Sequence, residues 1–175
     1  MKKKYGPVMD DPSDEPSLDE PPLDALPLGA LDEPSKEKHR LWLFRFLSRK
    51  SHPEREVRDR LASRGVCPQE IEALILEFRD LHLLDDAAYA RLFAEGHEGW
   101  GSHRVVLELC RRGLSREDIR LALEGRDEET QARTLAEGWL SEGVAARRVI
   151  GRLQRRGFSH RAIHSALRGN DETPW

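Results

Sequence analysis

The residue types best suited to catalysis or metal binding are few and widely spaced in this sequence. His160 and His164 lie four residues apart, which places both rings on one helical face, but the glutamate that a zinc protease carries after its first histidine is absent. With no clear third ligand near them, we interpret both as surface or interface histidines. Asp85 and Asp86 could hold a cation, yet two carboxylates also suit the start of a helix, which is the role we predict.

The two cysteines also lack the spacing of a functional site. Cys67 and Cys110 stand alone, without a CxxC motif, and we expect them to fill core space as small apolar side chains. No glycine-rich phosphate loop follows a strand, because no strand is apparent. The sequence therefore predicts no catalytic residues, no metal site and no cofactor, and we expect a non-enzymatic protein that acts by binding.

Arginine is the residue type whose spacing does suggest a function. Residues 147–156 contain five arginines and no acid. Arg148, Arg152 and Arg155 follow the i, i+4, i+7 spacing of one helical face, where like charges repel. Phosphates or an acidic protein surface would offset that repulsion, and the alternative is a solvated face paired to acids of neighbouring helices. The candidate contact residues, including smaller pairs elsewhere, are Arg147, Arg148, Arg152, Arg155, Arg156, Arg111, Arg112, Arg60 and Arg64.

A repeated stretch predicts the helices that position these side chains. The pattern Val-x3-Leu-x2-Arg-Gly, followed by an apolar residue, occurs at 57–66, 105–114 and 149–158. Val and Leu four apart share a helical face, and a glycine one turn beyond suits the left-handed residue that ends a helix in a Schellman motif. The predicted turn glycines are Gly65, Gly113 and Gly157. The predicted apolar contacts across these turns are Leu61/Val66, Leu109/Leu114 and Leu153/Phe158.

Three repeats of three helices account for the chain from residue 36 onward. Ser115 and Ser159 stand where the third helix of a repeat needs an N-cap. Unrelated helices that happen to end in glycine are the alternative, which the shared register disfavours. We predict an all-α fold of three tandem three-helix repeats in a curved, elongated array. The predicted limits are 1–35 for an N-terminal tail, 36–82, 83–125 and 126–170 for the repeats, and 171–175 for the C-terminal end.

Residues 1–35 differ in composition from the rest of the chain. They hold seven of the ten prolines, three lysines and nine acids, a net charge of −6 against +3 for residues 36–175. Isolated leucines among acids and prolines cannot build a packed core, so we predict a disordered tail. Two roles remain open: a solubilising extension without a partner, and a segment that competes with nucleic acid for the basic repeats.

Composition also bounds the cellular location. Charged residues make up 35% of the 175-residue chain, which favours solvated helical faces over a compact sandwich. No run of about 18 apolar residues is present. Acid and proline follow the basic start, where a signal peptide would have an apolar stretch. We therefore expect a cytoplasmic protein without a membrane partner.

The middle repeat contains a more specific pattern. It reads Leu84-Asp85-Asp86-x2-Tyr89-Ala90, then Trp100-Gly101-x2-Arg104-Val105-x2-Glu108-Leu109-x2-Arg112-Gly113-Leu114. This pattern resembles the RecX family of regulatory proteins, and the resemblance covers about residues 38–168. It implies a negative regulator of the RecA recombinase, in recombination, DNA repair and the SOS response. Such a protein binds the RecA filament on single-stranded DNA and inhibits its ATPase, strand-exchange and coprotease activities. We expect a monomer.

Two other function classes stay open on the residues alone. The first is a stand-alone DNA-binding protein that uses its helix-turn-helix-like units, and the second is a scaffold with no nucleic-acid role. A stand-alone binder would show DNA affinity that falls steeply with salt in the absence of RecA, whereas a filament regulator would require RecA.

Overall fold

The computed structural model describes residues 35–168, and this part of the chain forms nine α-helices and no β-strand. The helices are α1 (Ser35–Leu47), α2 (Glu54–Ser63), α3 (Pro68–Asp80), α4 (Asp86–Gly96), α5 (Ser102–Arg111), α6 (Arg116–Leu123), α7 (Glu128–Ser141), α8 (Ala146–Arg155) and α9 (His160–Arg168). The all-α class predicted from the sequence is confirmed. The predicted tail, up to residue 34, and the predicted C-terminal end, 171–175, lie outside the described residues. No helix within 35–168 is long and apolar enough to cross a membrane.

Each group of three consecutive helices encloses its own hydrophobic core, and we call α1–α3, α4–α6 and α7–α9 repeats 1, 2 and 3. The Val and Leu of the repeated stretch are fully buried in every repeat. The first helix contributes leucines to the core of repeat 1, Leu43 and Leu47, but alanines to the other two cores. These small side chains let the first helix pack directly on the third, α4 on α6 and α7 on α9.

The glycine turns predicted from the repeat are present in all three repeats. Gly65, Gly113 and Gly157 have φ between 78° and 87°, a region that costs other residues roughly 1–2 kcal/mol. The amide after each glycine donates to the carbonyl of the repeat leucine, as a Schellman motif requires. These bonds are Val66 to Leu61 at 3.2 Å, Leu114 to Leu109 at 3.2 Å and Phe158 to Leu153 at 3.1 Å. The predicted turns are confirmed.

The serine caps predicted for the third helices are also present. The Ser115 hydroxyl accepts the Asp118 N–H at 3.1 Å, and the Ser159 hydroxyl accepts the Ala162 N–H at 3.2 Å. In repeat 1 the equivalent place is held by Cys67, whose side chain makes no such bond. Cys67 and Cys110 are both exposed, so the prediction that they fill core space was wrong. The repeat register aligns Cys67 with the caps Ser115 and Ser159 and aligns Cys110 with the exposed Gln154, so neither cysteine stands at a core position of the repeat.

The two aspartates at the start of α4 accept hydrogen bonds from two different repeats. Asp85 caps its own helix by accepting the Ala88 N–H at 2.8 Å. Asp86, predicted to share that role, instead accepts the N–H of Glu54, the first residue of α2, at 2.8 Å. The N-cap residue of α2 is Pro53, which has no side-chain acceptor. Repeat 2 therefore supplies the cap that the middle helix of repeat 1 lacks.

The same junction recurs between repeats 2 and 3. Glu128, the first residue of α7, accepts the N–H of Ser102, the first residue of α5, at 2.9 Å. It also accepts the backbone N–H of Ser159 at 3.2 Å and the Ser159 hydroxyl at 2.9 Å. In both junctions an acid at the start of one repeat completes the middle helix of the repeat before it.

The backbones approach most closely at the second junction. The Gly101 N–H donates to the Arg156 carbonyl at 2.8 Å, and the His103 N–H donates to the Gly157 carbonyl at 3.3 Å. A Cβ at Gly101 would lie 2.2 Å from the Gly157 backbone. At the first junction Pro53 takes the place of Gly101 and has no N–H to donate. The Arg55 side chain, not a backbone segment, covers the Gly113 turn there.

Substituting Asp86 tests the first junction. Asp86→Ala should lower the free energy of unfolding by about 1–3 kcal/mol, because the Glu54 N–H loses its acceptor. Asp86→Asn keeps an acceptor oxygen and removes a charge that is partly desolvated. We therefore expect the Asn variant to equal or exceed the parent in stability at neutral pH, as measured by urea unfolding. Equal losses in the two variants would contradict the hydrogen bond.

The pH dependence of that comparison follows from the carboxyl group itself. Burial raises the pKa of Asp86 above its ordinary value, while the Glu54 N–H opposes the shift. Since the folded state then holds its proton more tightly than the unfolded state, the parent loses stability as pH rises from about 4 through the raised pKa. The advantage of Asp86→Asn over the parent should therefore shrink toward pH 4.

Candidate interaction surface on repeat 3

The helix α8 carries the arginine cluster predicted from the sequence. Val149 and Leu153 hold one side of the helix in the core of repeat 3, where both are fully buried. Arg147, Arg148 and Arg155 are exposed and Arg152 is half-buried, and we call these four residues the basic surface of α8. No carboxylate within residues 35–168 forms an ion pair with any of the four. Positive charge on this surface is therefore not neutralised by the part of the chain that the structure describes.

Several arginines of the other repeats form ion pairs, whereas those of the basic surface of α8 form none within residues 35–168. Arg58 contacts Glu54 at 2.8 Å and also bridges to Glu72 on α3. Arg60 contacts Glu56 at 3.1 Å, and Arg111 contacts Glu108 at 3.2 Å. In each of the last two pairs the acid lies one helical turn before the arginine. Such pairs cannot form within α8, because this helix contains no acid.

The arginine that precedes each turn glycine has an internal role. Its guanidinium stacks on an aromatic ring of the first helix of the same repeat, an interaction worth about 0.5–2 kcal/mol. The pairs are Arg64 on Trp42 at 3.9 Å, Arg112 on Phe93 at 5.0 Å and Arg156 on Trp139 at 5.3 Å. Burial lowers the pKa of Arg64. These three candidates hold the first helix to the second within a repeat.

Additional bonds fix the same side chains further. Arg112 donates to the Tyr89 hydroxyl at 2.8 Å, and Arg156 donates to the Gly99 carbonyl of repeat 2 at 3.1 Å. Arg152 shares the Trp139 ring at 5.3 Å, and Arg60 lies over Phe46 at 5.0 Å. Of the nine candidates, the exposed ones are Arg111, Arg147, Arg148, Arg155 and Arg112, and only the last of these is also held by an aromatic ring.

Arg126 has a structural role that the sequence pattern did not predict. From the loop between α6 and α7, its guanidinium donates to the carbonyls of Ala94 at 2.7 Å, His97 at 2.8 Å and Trp100 at 2.7 Å. These carbonyls lie at and just beyond the end of α4, where a helix leaves acceptors unpaired and favours a cation. Burial lowers the pKa of Arg126, although an arginine remains charged at neutral pH.

Replacing Arg126 by lysine should lower the free energy of unfolding by about 2 kcal/mol. A lysine keeps the charge, but one ammonium group cannot match the planar guanidinium at three carbonyls. Denaturant unfolding measures the loss, and Arg116→Lys, at an exposed position on α6, is the matched control that should change little. Equal stability of the two variants would show that the three carbonyls do not depend on the guanidinium.

The histidines considered for metal binding lie on the polar groove between α7 and α9. His160 and His164 are both exposed there, beside Arg161, which contacts Glu129 at 2.7 Å. Within residues 35–168 no group of three or more His, Cys, Asp or Glu side chains could hold a metal ion. The groove offers charged side chains of both signs.

Two family models match the chain. One describes the first three-helix domain of RecX and matches residues 43–77, and the other describes the second three-helix domain and matches residues 85–123. Curated relatives are named regulatory protein RecX. The protein from Chromohalobacter salexigens is 36% identical over 83 residues, which is 46% of this chain and 55% of that protein. The protein from Cronobacter sakazakii is 33% identical over 107 residues, or 53% of this chain and 65% of that protein.

Solved structures share the fold. The crystal structure of RecX from Lactobacillus salivarius gives a TM-score of 0.71 at 22% identity, over 78% of this chain and 96% of that one. A second crystal structure, of a regulatory protein RecX, gives 0.62 at 20% identity, over 74% and 70% of the two chains. The matched segments span between about half and two thirds of the length of the curated relatives above. The chain belongs to the RecX family of regulatory proteins.

Proposed function

We propose that this chain is a negative regulator of the RecA recombinase that binds the RecA filament on single-stranded DNA in the cytoplasm, as a monomer. Its family membership supports a regulatory role. The observation that carries the binding proposal is the basic surface of α8, where exposed arginines have no ion-pair partner within residues 35–168.

The chemistry of this surface suits an anionic partner. A guanidinium group presents a planar fork of donors that matches a phosphate or a carboxylate with two parallel hydrogen bonds. Arg147 and Arg148 lie in the first turn of α8, where the helix dipole adds to their positive charge. Because Val149 and Leu153 anchor the helix, binding orders only the side chains of the arginines and not the backbone.

Inhibition follows from binding to more than one component. A protein that binds DNA phosphates and recombinase subunits together opposes any step that moves one relative to the other. ATP hydrolysis, strand exchange and coprotease action each require the filament to change its conformation or to bind another molecule. If repeats 1 and 2 contact the same filament, their attachment to repeat 3 in one chain raises the effective concentration of the basic surface of α8 at its binding site.

The test is RecA ATPase activity on single-stranded DNA with this protein titrated in. We expect ATP hydrolysis to fall as the protein is added. Hydrolysis that stays constant up to an excess over RecA would contradict the proposal.

Binding to labelled single-stranded DNA without RecA separates the proposal from a stand-alone DNA-binding protein. The α8 arginines make that second function worth testing, since they would also bind naked DNA. A stand-alone binder should lose affinity steeply between roughly 50 and 200 mM salt with no RecA present. A filament regulator should bind appreciably only when RecA is added.

A further inference from the structure

The junction between repeats 1 and 2 lacks the backbone hydrogen bonds that join repeats 2 and 3. At the second junction the N–H groups of Gly101 and His103 donate to carbonyls of the turn that ends α8. The corresponding residues at the first junction are Pro53, which has no N–H, and Arg55, whose N–H makes no such bond within residues 35–168. Side chains, and not paired backbone segments, therefore meet at this place.

A groove lies here, and arginines from both repeats line it. Arg55 and Arg60 belong to α2, while Arg111 and Arg112 lie at the C-terminal end of α5. The stem of Arg55 covers the turn at Gly113, since a Cβ added to that glycine would lie 2.9 Å from the Arg55 Cβ. This packing brings the guanidinium group of Arg55, from repeat 1, to the end of the middle helix of repeat 2.

The acids of the groove neutralise only part of this positive charge. Glu56 and Asp59 both line it. Glu56 is engaged within repeat 1, because Arg60 and His52 each contact its carboxylate at 3.1 Å. A hydrogen bond from His52 lowers the pKa of Glu56, so this carboxylate stays ionised beside its two partners. Among the described residues, Asp59 is then the remaining acid of the groove for its other three arginines.

Those three guanidinium groups suit phosphate. Arg55 has no carboxylate partner within residues 35–168, and Arg112 donates to an uncharged group, the Tyr89 hydroxyl. Arg111 contacts Glu108 at 3.2 Å, but its side chain is 78% exposed, so this pair contributes little. Like charges that line one groove repel unless an anion binds between them. A guanidinium fork binds phosphate with two parallel hydrogen bonds.

We propose that this groove binds the phosphate groups of an oligophosphate or of a nucleic-acid backbone, with Arg55 and Arg111 as the ligands from repeats 1 and 2. A phosphate held by both side chains would do at the first junction what backbone hydrogen bonds do at the second. The bound anion should therefore hold repeats 1 and 2 together. The groove is separate from the basic surface of α8, so this inference stands apart from the proposed function.

The test follows hydrogen exchange of the Glu54 amide in the full-length chain, without RecA. The Glu54 N–H bonds to Asp86 across this junction, so its exchange reports whether repeats 1 and 2 separate. The probes are sodium tripolyphosphate and a short single-stranded oligothymidylate. A probe that binds should slow the exchange about fivefold when it is present at roughly four times its Kd. A response to tripolyphosphate alone would identify a free oligophosphate as the ligand, and a response to both would include a nucleic-acid backbone.

Arg55→Gln together with Arg111→Gln removes both proposed ligands. The effective probe should then bind about tenfold more weakly for each guanidinium group removed. Arg91→Gln together with Arg116→Gln, at exposed positions on α4 and α6, changes the net charge equally and should respond like the parent.

Arg111→Gln alone keeps the test valid if the loss of the Arg55 stem disturbs the turn at Gly113, because the Arg111 side chain is largely exposed. A Glu54 amide that neither probe protects in the parent would overturn the proposal. Equal protection in the parent and in Arg111→Gln would also overturn it.

Discussion

Replacing Arg147, Arg148 and Arg155 together by glutamate should weaken binding to the RecA filament on single-stranded DNA by about 100-fold at roughly 0.1 M salt. Each arginine bound to a phosphate contributes up to about a factor of ten at that ionic strength, through the counterion it releases. The salt dependence should also flatten, with the slope reduced by roughly one for each phosphate that no longer has an arginine partner. Arg152 and Arg156 are left unchanged because both pack on Trp139, where a glutamate would disturb the repeat itself.

The matched control changes the same amount of charge elsewhere. Arg45, Arg91 and Arg116 are exposed residues of α1, α4 and α6, and their joint replacement by glutamate alters the net charge equally. Circular dichroism should show both triple variants folded. If α8 binds the filament, only the first variant loses inhibition of RecA ATPase. Equal inhibition by the two would assign the basic surface of α8 to solvent and direct attention to Arg111.

Gly101→Ala should lower the free energy of unfolding by about 3 kcal/mol, a large effect for the addition of one methyl group. The backbone of Gly101 has φ of −73°, which alanine adopts without strain, so the cost arises entirely from the clash with repeat 3. The added Cβ would lie 2.2 Å from the Gly157 carbonyl carbon and oxygen. Backbone atoms cannot rotate away as a side chain does, so repeats 2 and 3 must separate and break their shared hydrogen bonds.

Gly138→Ala is the control for that substitution. Gly138 lies inside α7, and a Cβ there would meet nothing within 4 Å. Alanine in a helix is favoured over glycine by up to about 1 kcal/mol, so this variant should be more stable than the parent. Urea unfolding monitored by circular dichroism measures both. Similar stabilities for the two variants would contradict the close approach at Gly101.

The features predictable from the sequence are those whose physics is confined to a few neighbouring residues. A Schellman turn needs a leucine, a glycine and an apolar residue within six positions, and so Gly65, Gly113 and Gly157 could be identified. The caps at Ser115 and Ser159 are equally local. Asp86 does lie in the first turn of α4, but its hydrogen-bond partner, the Glu54 N–H, could not be predicted because it lies 32 residues earlier. The sequence period predicts that the repeats stack on one another. It does not predict which side chains and backbone groups form hydrogen bonds at the junction between two repeats.

The arginines illustrate the same limit at the candidate site. The spacing of residues 147–156 predicts a basic helix, but it cannot separate exposed arginines from those held by a ring on another helix. Arg156 stacks on Trp139, seventeen positions before it in the chain. The role of Arg126 was not predicted, because a single arginine in a loop is usually solvated. Only the structure shows that the C-terminal end of α4 lies beside its guanidinium group.

At both junctions the capping acid follows in sequence the helix that it caps, which affects when that helix is completed during synthesis. A ribosome releases residues in order from the N-terminus, so α2 emerges before Asp86 and α5 emerges before Glu128. The middle helices of repeats 1 and 2 therefore lack their cap when they are synthesised. The acid that completes each of them is translated 32 residues later in repeat 1 and 26 residues later in repeat 2. A stop codon placed between repeats would release a product whose last repeat is unfinished, even though every residue of that repeat had been translated.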